Sequence, residues 1–262
     1  MNGSPSIRRQ RQRSGVPVLA LHITGVLTFL AAWQWLGSSQ PFFYSSPIRV
    51  ALTLKEMFAQ EGLLLTTLES MWALVLGMVI AFAMGVTSGY LIGRYRVIRV
   101  MFEPYLAAFY AVPRVAFVPV MAIWFGIDRE FVVASVVIGC AVVLTFSTAA
   151  GVQESMKSFH EPAIAFRISG WRLLVKVLLP GSVPFIASGM RLAVERGFVA
   201  VIVAEFLVGV PGVGFVIRTA RASFDADRLF AMAVLLMILG VALIELTKAV
   251  ETRLSRWRPQ AF

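Results

Sequence analysis

Long apolar runs alternate with short polar segments along nearly the whole chain. A helix needs about 20 mostly apolar residues to cross roughly 30 Å of hydrocarbon, and six runs reach that length. The third and fifth runs contain charged residues, and the sixth ends at Glu245. We therefore predict six membrane-spanning helices, near residues 16–36, 64–92, 104–125, 131–151, 184–209 and 229–247.

Composition agrees with this pattern. Apolar residues make up 58% of the 262 positions and charged residues only 15%, against roughly a quarter in soluble domains. One aqueous core cannot bury so much apolar surface, so the sequence predicts an all-α, polytopic membrane protein in the lipid bilayer. Cys140 is the single cysteine, and His22 and His160 are the two histidines. We therefore expect no disulfide, metal site or cofactor.

Positive charge is distributed by membrane side. The net charge is +10, yet the Lys and Arg residues are not gathered on a soluble domain, which argues against nucleic-acid binding. Short cytoplasmic loops usually collect Lys and Arg. Most of the basic residues fall on one side when both termini are placed in the cytoplasm. Three arginines after the fifth run oppose this rule: Arg218, Arg221 and Arg228.

The predicted domain organisation is simple. Residues 1–15, rich in Ser, Gln and Arg, are expected to form a basic cytoplasmic tail that faces anionic lipid. The first apolar run is too long for a cleaved signal peptide and carries Trp33 and Trp35 at its far end, where aromatic residues anchor helices. Residues 16–250 form one transmembrane domain with a cytoplasmic loop at about 152–183. Residues 251–262 form a cytoplasmic C-terminal tail.

Small residues in the second run and prolines in the third indicate how these two helices pack and bend. Every fourth residue of the second run is small, which lets another helix approach closely: Gly77, Ala81, Gly85, Gly89 and Gly93. That second helix could lie within the chain or in another subunit. The third run is expected to be kinked or locally unwound, because three prolines each remove a helical hydrogen bond: Pro104, Pro113 and Pro119.

Charged residues inside the runs are candidates for a translocation path. Each costs about 2.5–3.5 kcal/mol at a helix centre and tends to face a cavity or a partner. Arg114 lies about 15 Å past Pro104, near the midplane. Arg191 and Glu195 share a helical face and can neutralise each other, while Glu205 lies nearer the outer end. The alternative for each is a structural role as an ion pair or a cap.

The segment from Glu161 to Pro184 is charged and amphipathic, and it lies between two apolar runs. Helical spacing predicts one apolar stripe, bent near Ser169 and Gly170, formed by Ile164, Ile168, Trp171, Val175 and Leu178. Arg172 and Lys176 lie off this stripe. The pattern predicts two short helices on the cytoplasmic surface, which either dock a partner or lie at the membrane interface without one.

This segment resembles the cytoplasmic loop of permease subunits of ATP-binding cassette (ABC) importers, especially the nitrate, sulfonate, taurine and bicarbonate type. The family pattern is E-A-A-x3-G-x9-I-x-L-P. Val177 replaces its isoleucine, Pro162 occupies its second position, and Arg167 stands at its glycine, with Gly170 three residues later. Four positions match the pattern: Glu161, Ala163, Leu179 and Pro180.

Four further motifs resemble the same family in the expected order: VPRVAFVPVMAIWFGI at 112–127, GMRLA at 189–193, AEFL at 204–207 and GVGFVI at 212–217. The resemblance implies a dimeric, all-helical MetI-like permease fold without a cofactor. It also implies two copies of a cytoplasmic ABC ATPase, an extracytoplasmic solute-binding protein and a bacterial inner-membrane location. The resemblance assigns ATPase coupling to Glu161, Pro162, Ala163, Arg167, Gly170, Trp171, Leu179 and Pro180.

The predicted function is that of a permease subunit forming the path for a small anionic organic solute delivered by a binding protein. The sequence contains no G-x4-G-K-[ST] phosphate loop, so ATP hydrolysis is expected on a partner chain and not here. An ion-coupled secondary transporter is the alternative, although it usually shows midplane carboxylates and repeated halves. An intramembrane enzyme would need a nucleophile with a base, or a metal set.

Overall fold

A computed structural model describes residues 18–40 and 42–254, and every regular element within those ranges is helical. The all-α prediction is confirmed. The predicted N-terminal tail and most of the predicted C-terminal tail lie outside the described residues. The helices are α1 (Val18–Ser39), α2 (Pro47–Gln60), α3 (Leu63–Arg94), α4 (Arg96–Ala111), α5 (Val118–Phe125), α6 (Arg129–Ala165), α7 (Gly170–Leu173), α8 (Leu179–Val208), α9 (Val213–Ala222) and α10 (Ala226–Leu254).

Two shorter segments connect these helices. A single 3₁₀ turn, Arg114–Phe117, precedes α5, and a π-helical segment, Leu174–Leu178, joins α7 to α8. The chain is therefore continuously helical from Gly170 to Val208. The predicted pair of short cytoplasmic helices is replaced by the ends of two long helices, because α6 runs on to Ala165 before it turns.

Within the described ranges, four helical segments are long and apolar enough to cross a membrane: Leu63–Arg94, Arg129–Phe159, Gly170–Val208 and Ala226–Arg253. The pair formed by Arg96–Ala111 and Val115–Phe125 supplies a fifth crossing if it counts as one span. These two pieces are bent by 91°, which confirms the predicted kink. The described part of α1 is not among these segments, so four or five of the six predicted crossings are found within the described ranges. A crossing by α1 stays a prediction.

The small residues of α3 pack against α6. A Cβ atom added at Gly77 would lie 2.6 Å from the Cβ of Val136, and one added at Gly93 would lie 2.7 Å from the Cβ of Val152. Such distances leave no room for a side chain, so the backbones of α3 and α6 are in close approach. The small-residue spacing of the second run therefore serves packing within the chain, and these two helices run parallel.

The bundle has two distinct ends. Helix α8 runs antiparallel to α6, because Gly181 lies against Ser155 and Gly189 lies against Ser147. The C-terminal ends of α3 and α6 therefore meet the start of α8. The C-terminal end of α10 lies there too, because Ser188 contacts Glu251. We call this the α7 end and the opposite one the α9 end. The main core lies between α3, α6 and α8, and it contains the fully buried residues Ala81, Val136, Cys140, Leu144, Ala193 and Val201.

Candidate functional site: a corner, a central cavity and a closed end

The chain turns sharply between α6 and α7, at a site we call the α6–α7 corner (residues 161–180). Arg167 has a φ of 53°, in the left-handed region. The Ile168 N–H donates to the Ala163 carbonyl at 2.8 Å, and both side chains belong to one apolar cluster. This is a Schellman motif with Arg167 at the C′ position. The chain thus departs from the family's glycine at the one position of this turn where a left-handed residue is required.

The corner separates the predicted apolar stripe into two faces. Ile168 and Leu178 turn inward with Ala163 and Leu173, whereas Trp171 is 74% exposed and Val175 is also exposed. The single stripe is therefore wrong. The turn with positive φ at Arg167 and Gly170 separates Ile168 from Trp171. The π-helical segment adds a residue to the turn that contains Val175 and Leu178, so the four-three spacing does not keep these side chains on one face. The Ile164 side chain lies outside the described part of the structure.

A shallow groove of about 270 Å³ lies in the corner, with Lys176 among its lining residues. Phe166, another lining residue, is 78% exposed. Of the predicted coupling residues, Ala163 is buried and Leu179 is half-buried. The other six are exposed: Glu161, Pro162, Arg167, Gly170, Trp171 and Pro180. The corner therefore presents aromatic and charged side chains together on its surface.

The charged residues of α8 have three different environments. Arg191 pairs with Glu251 of α10, with 3.4 Å between Nη1 and Oε2, and Ser188 donates to the other oxygen of that carboxylate at 2.8 Å. The partner suggested by spacing, Glu195, is exposed instead. Arg191 is thus neutralised by a residue 60 positions away, which helical spacing cannot reveal.

A cavity of about 300 Å³ lies between α5, α6 and α8, with Glu195 and Arg196 as its charged lining residues. The Arg196 guanidinium donates to the Tyr110 hydroxyl at 2.7 Å and lies 4.9 Å from the centre of that ring. Sequence reasoning left Arg196 out of the candidate path. The 3₁₀ turn beginning at Arg114 borders this cavity, but the Arg114 side chain lies outside the described residues.

Glu205 lies at the closed α9 end and is 2% exposed. Its carboxylate accepts hydrogen bonds from the Ser70 hydroxyl at 2.7 Å and from the Gly214 N–H at 2.8 Å. The Val213 N–H donates in turn to Ser70 Oγ at 3.0 Å. Two unpaired amides at the start of α9 are thereby satisfied, and a carboxylate is favourable at a helix N-terminus. The structure places Glu205 in a packing site that joins α3, α8 and α9.

This arrangement brings together two of the motifs found in the sequence. AEFL supplies Glu205, and GVGFVI begins with Gly212, against which the Glu205 carboxyl group packs directly. Gly214 follows in the same close contact with α8. Among the described residues, no group of three or more His, Cys, Asp or Glu side chains could hold a metal ion.

These features define a polytopic membrane protein with an open, mostly apolar cavity between α5, α6 and α8 and an exposed corner at one end. Residues 81–256 match the family described as binding-protein-dependent transport system inner membrane component. The chain belongs to that family. It is a membrane-spanning permease subunit of an ABC importer, and ATP hydrolysis belongs to a partner chain.

Curated relatives extend over most of the chain. The bicarbonate transport system permease protein CmpB of Synechococcus elongatus is 27% identical over 244 residues, which cover 88% of both chains. A Haemophilus influenzae protein named as an ABC transporter permease is 30% identical and covers 85% of this chain and 91% of its own. SsuC of Bacillus subtilis, named for aliphatic sulfonate transport, is 25% identical and covers 87% of this chain and 84% of its own.

Solved structures show the same fold. Two crystal forms of the inward-facing MetNI methionine ABC transporter match with TM-scores of 0.61 and 0.63 at 17% and 16% identity. They cover 71% and 73% of this chain and 93% and 95% of the matched chain. The predicted MetI-like permease fold is confirmed.

Proposed function

We propose that two copies of this chain form the membrane path of an importer that carries a small organic anion into a bacterial cell. A cytoplasmic ABC ATPase, in two copies, drives the cycle, and an extracytoplasmic binding protein delivers the solute. Two relatives support an anionic solute, since they are named for bicarbonate and aliphatic sulfonate transport. Native mass spectrometry of the purified complex measures the number of permease copies.

The α7 end faces the cytoplasm, with both termini on that side. Basic residues gather there in keeping with the positive-inside rule, including Arg94, Arg96, Arg99, Lys157, Arg167, Arg172 and Lys176. Arginines at the α9 end are offset by carboxylates. Arg129 pairs with Glu69 at 3.0 Å, and Arg228 pairs with Glu61 at 2.5 Å. This neutralisation accounts for an exception to the rule, Arg228, and supports the proposed orientation.

The α6–α7 corner docks into the ATPase. The observation that carries this step is the pair of aromatic side chains, Phe166 and Trp171, which are both more than 70% exposed beside exposed charges. Large exposed aromatic residues in a polar surround are typical of protein interfaces. Both long helices that form the path, α6 and α8, end at this corner. A push on the corner therefore reaches the path through rigid helices.

A double substitution tests the docking step. Glu161→Lys with Trp171→Asp removes an aromatic anchor and inverts a charge, so we expect ATPase copurification and solute uptake to fall at least tenfold with normal membrane insertion. The matched control is Phe224→Asp, which places the same charge on an aromatic residue that is 76% exposed near the α9 end. It should leave ATPase copurification unchanged. Normal copurification and uptake by the double variant would contradict the proposed docking.

A further inference from the structure

A cation near the middle of α8 is held by a neutral partner. Arg196 lies 12 residues before the end of α8, about 18 Å along the helix axis. Its guanidinium contacts the hydroxyl and the ring of Tyr110. Within residues 18–40 and 42–254, the ion pairs do not include Arg196. A charge in a membrane span usually faces an ion partner or a cavity, and Arg196 is among the residues that line the cavity.

The cavity has a mostly apolar lining that includes three polar residues. Ser135, Glu195 and Arg196 are its polar members, and the rest of the lining is apolar, formed by Val115, Phe117, Val118, Met121, Ile138, Val199, Ala200 and Val203. Its volume of about 300 Å³ is at the lower end of the range for small-molecule sites. Apolar walls with a small number of placed polar groups are the usual composition of such sites.

We propose that this cavity binds the apolar body of an organic anion while the anion's headgroup replaces Tyr110 on Arg196. The inference rests on the proposed import function and assigns its solute contact to the permease chain itself. A planar guanidinium can hold a carboxylate or sulfonate through two parallel hydrogen bonds. A small hydrated anion such as bicarbonate would lose its water against the apolar walls without burying apolar surface of its own. The cavity therefore favours anions with an apolar body.

Tyr110 is placed to release Arg196 during the transport cycle. It is the penultimate residue of α4, directly before the break that bends α4 and the following segment by 91°. Its ring also contacts Phe146 of α6 edge to face, with 5.8 Å between centroids. A change in the bend moves Tyr110 relative to α8, so the hydrogen bond with Arg196 breaks when the hinge moves. Arg196 then offers its donors to the anion.

Glu195 provides a way to distinguish anion binding in this cavity from a purely structural role of Arg196. Glu195 lines the same cavity as Arg196, so its negative charge repels an anion that Arg196 attracts. Removing the two charges should therefore change anion affinity in opposite directions. A general loss of folding would lower affinity in both variants.

The test measures binding of pentanesulfonate to the full permease–ATPase complex in lipid nanodiscs without nucleotide. Nanodiscs replace detergent because detergent chains would compete for an apolar cavity. We expect saturable binding that weakens at least tenfold in Arg196→Gln, is partly restored in Arg196→Lys and strengthens in Glu195→Gln. Lys248→Gln, which removes one exposed positive charge of α10, should bind like the wild type. Bicarbonate and pentanol, tested in parallel, should bind at least tenfold more weakly than pentanesulfonate.

Three results would overturn the proposal: no saturable binding to the wild type, equal affinity in Arg196→Gln, or weaker binding in Glu195→Gln. If Arg196→Gln does not assemble, Ala200→Phe provides an independent arm, because it fills the cavity and leaves both charges in place. Wild-type affinity in Ala200→Phe would also overturn the proposal. A different result would contradict the proposed import function, namely the absence of an ATPase from the purified wild-type complex.

Discussion

The two ends of α8 hold polar groups in opposite ways. At the α9 end, Glu205 is enclosed, and its carboxylate receives two hydrogen bonds from Ser70 and Gly214. At the α7 end, the corner exposes Phe166, Trp171 and its charges. A closed, satisfied network fixes one arrangement of helices, whereas an exposed aromatic and charged surface is suited to a partner.

The comparison implies a division of roles along one helix. The α9 end holds α3, α8 and α9 in a fixed relation, so a force applied at the α7 end meets a stable anchor. The cavity containing Arg196 lies between the two ends, where α4 and α5 are bent rather than packed straight. Movement is therefore expected in the bent segment and at the corner, and least at Glu205.

The largest effect is expected from Glu205→Ala. It leaves the Ser70 hydroxyl and the Gly214 N–H without their acceptor, and each orphaned donor costs about 1–2 kcal/mol. We expect a loss of about 2–4 kcal/mol in stability, seen as a lower unfolding temperature of the purified protein in nanodiscs. Glu205→Gln should lose less, because one amide oxygen can still accept. The control is Glu195→Ala, an exposed carboxylate on the same helix. Equal stability of Glu205→Ala and that control would contradict the closed network.

A smaller loss of stability is expected from Gly214→Ala. A Cβ atom at Gly214 would lie 2.8 Å from the Phe206 amide nitrogen and would overlap the Ile202 carbonyl, so α9 must move away from α8. Overpacking of this kind costs about 1–3 kcal/mol. Gly240→Ala is the matched control, since its nearest neighbour is a Phe198 ring carbon at 3.7 Å and alanine favours a helix. The unfolding temperature should fall for Gly214→Ala and should stay the same or rise for Gly240→Ala. A similar change in both would contradict the close approach of α8 and α9.

Patterns along the chain predict the helices, the kinked third run and the location of the corner, because each depends on neighbouring residues. The roles of charged side chains depend on contacts between distant helices. Glu205 meets Ser70 across 135 positions, and Arg196 meets Tyr110 across 86. Helical spacing along the sequence cannot predict either contact. The π-helical segment Leu174–Leu178 likewise contains no proline or glycine to signal it, although it separates the exposed Val175 from the buried Leu178.

The smallest effect, with opposite sign, is expected from Arg167→Gly at the corner. A left-handed conformation costs a non-glycine residue about 1–2 kcal/mol, and glycine recovers part of this while losing chain entropy. We therefore expect a gain of about 0.5–1 kcal/mol in stability. Ala165→Gly, two residues earlier in regular helix, should lose a similar amount. Arg167→Asn separates conformation from charge, because asparagine tolerates the left-handed region and is also neutral.

If Arg167→Gly and Ala165→Gly both lower the unfolding temperature, the strained turn is contradicted. If Arg167→Gly raises it and coupled uptake is kept, the arginine is a tolerated departure from the family's glycine rather than a requirement for coupling.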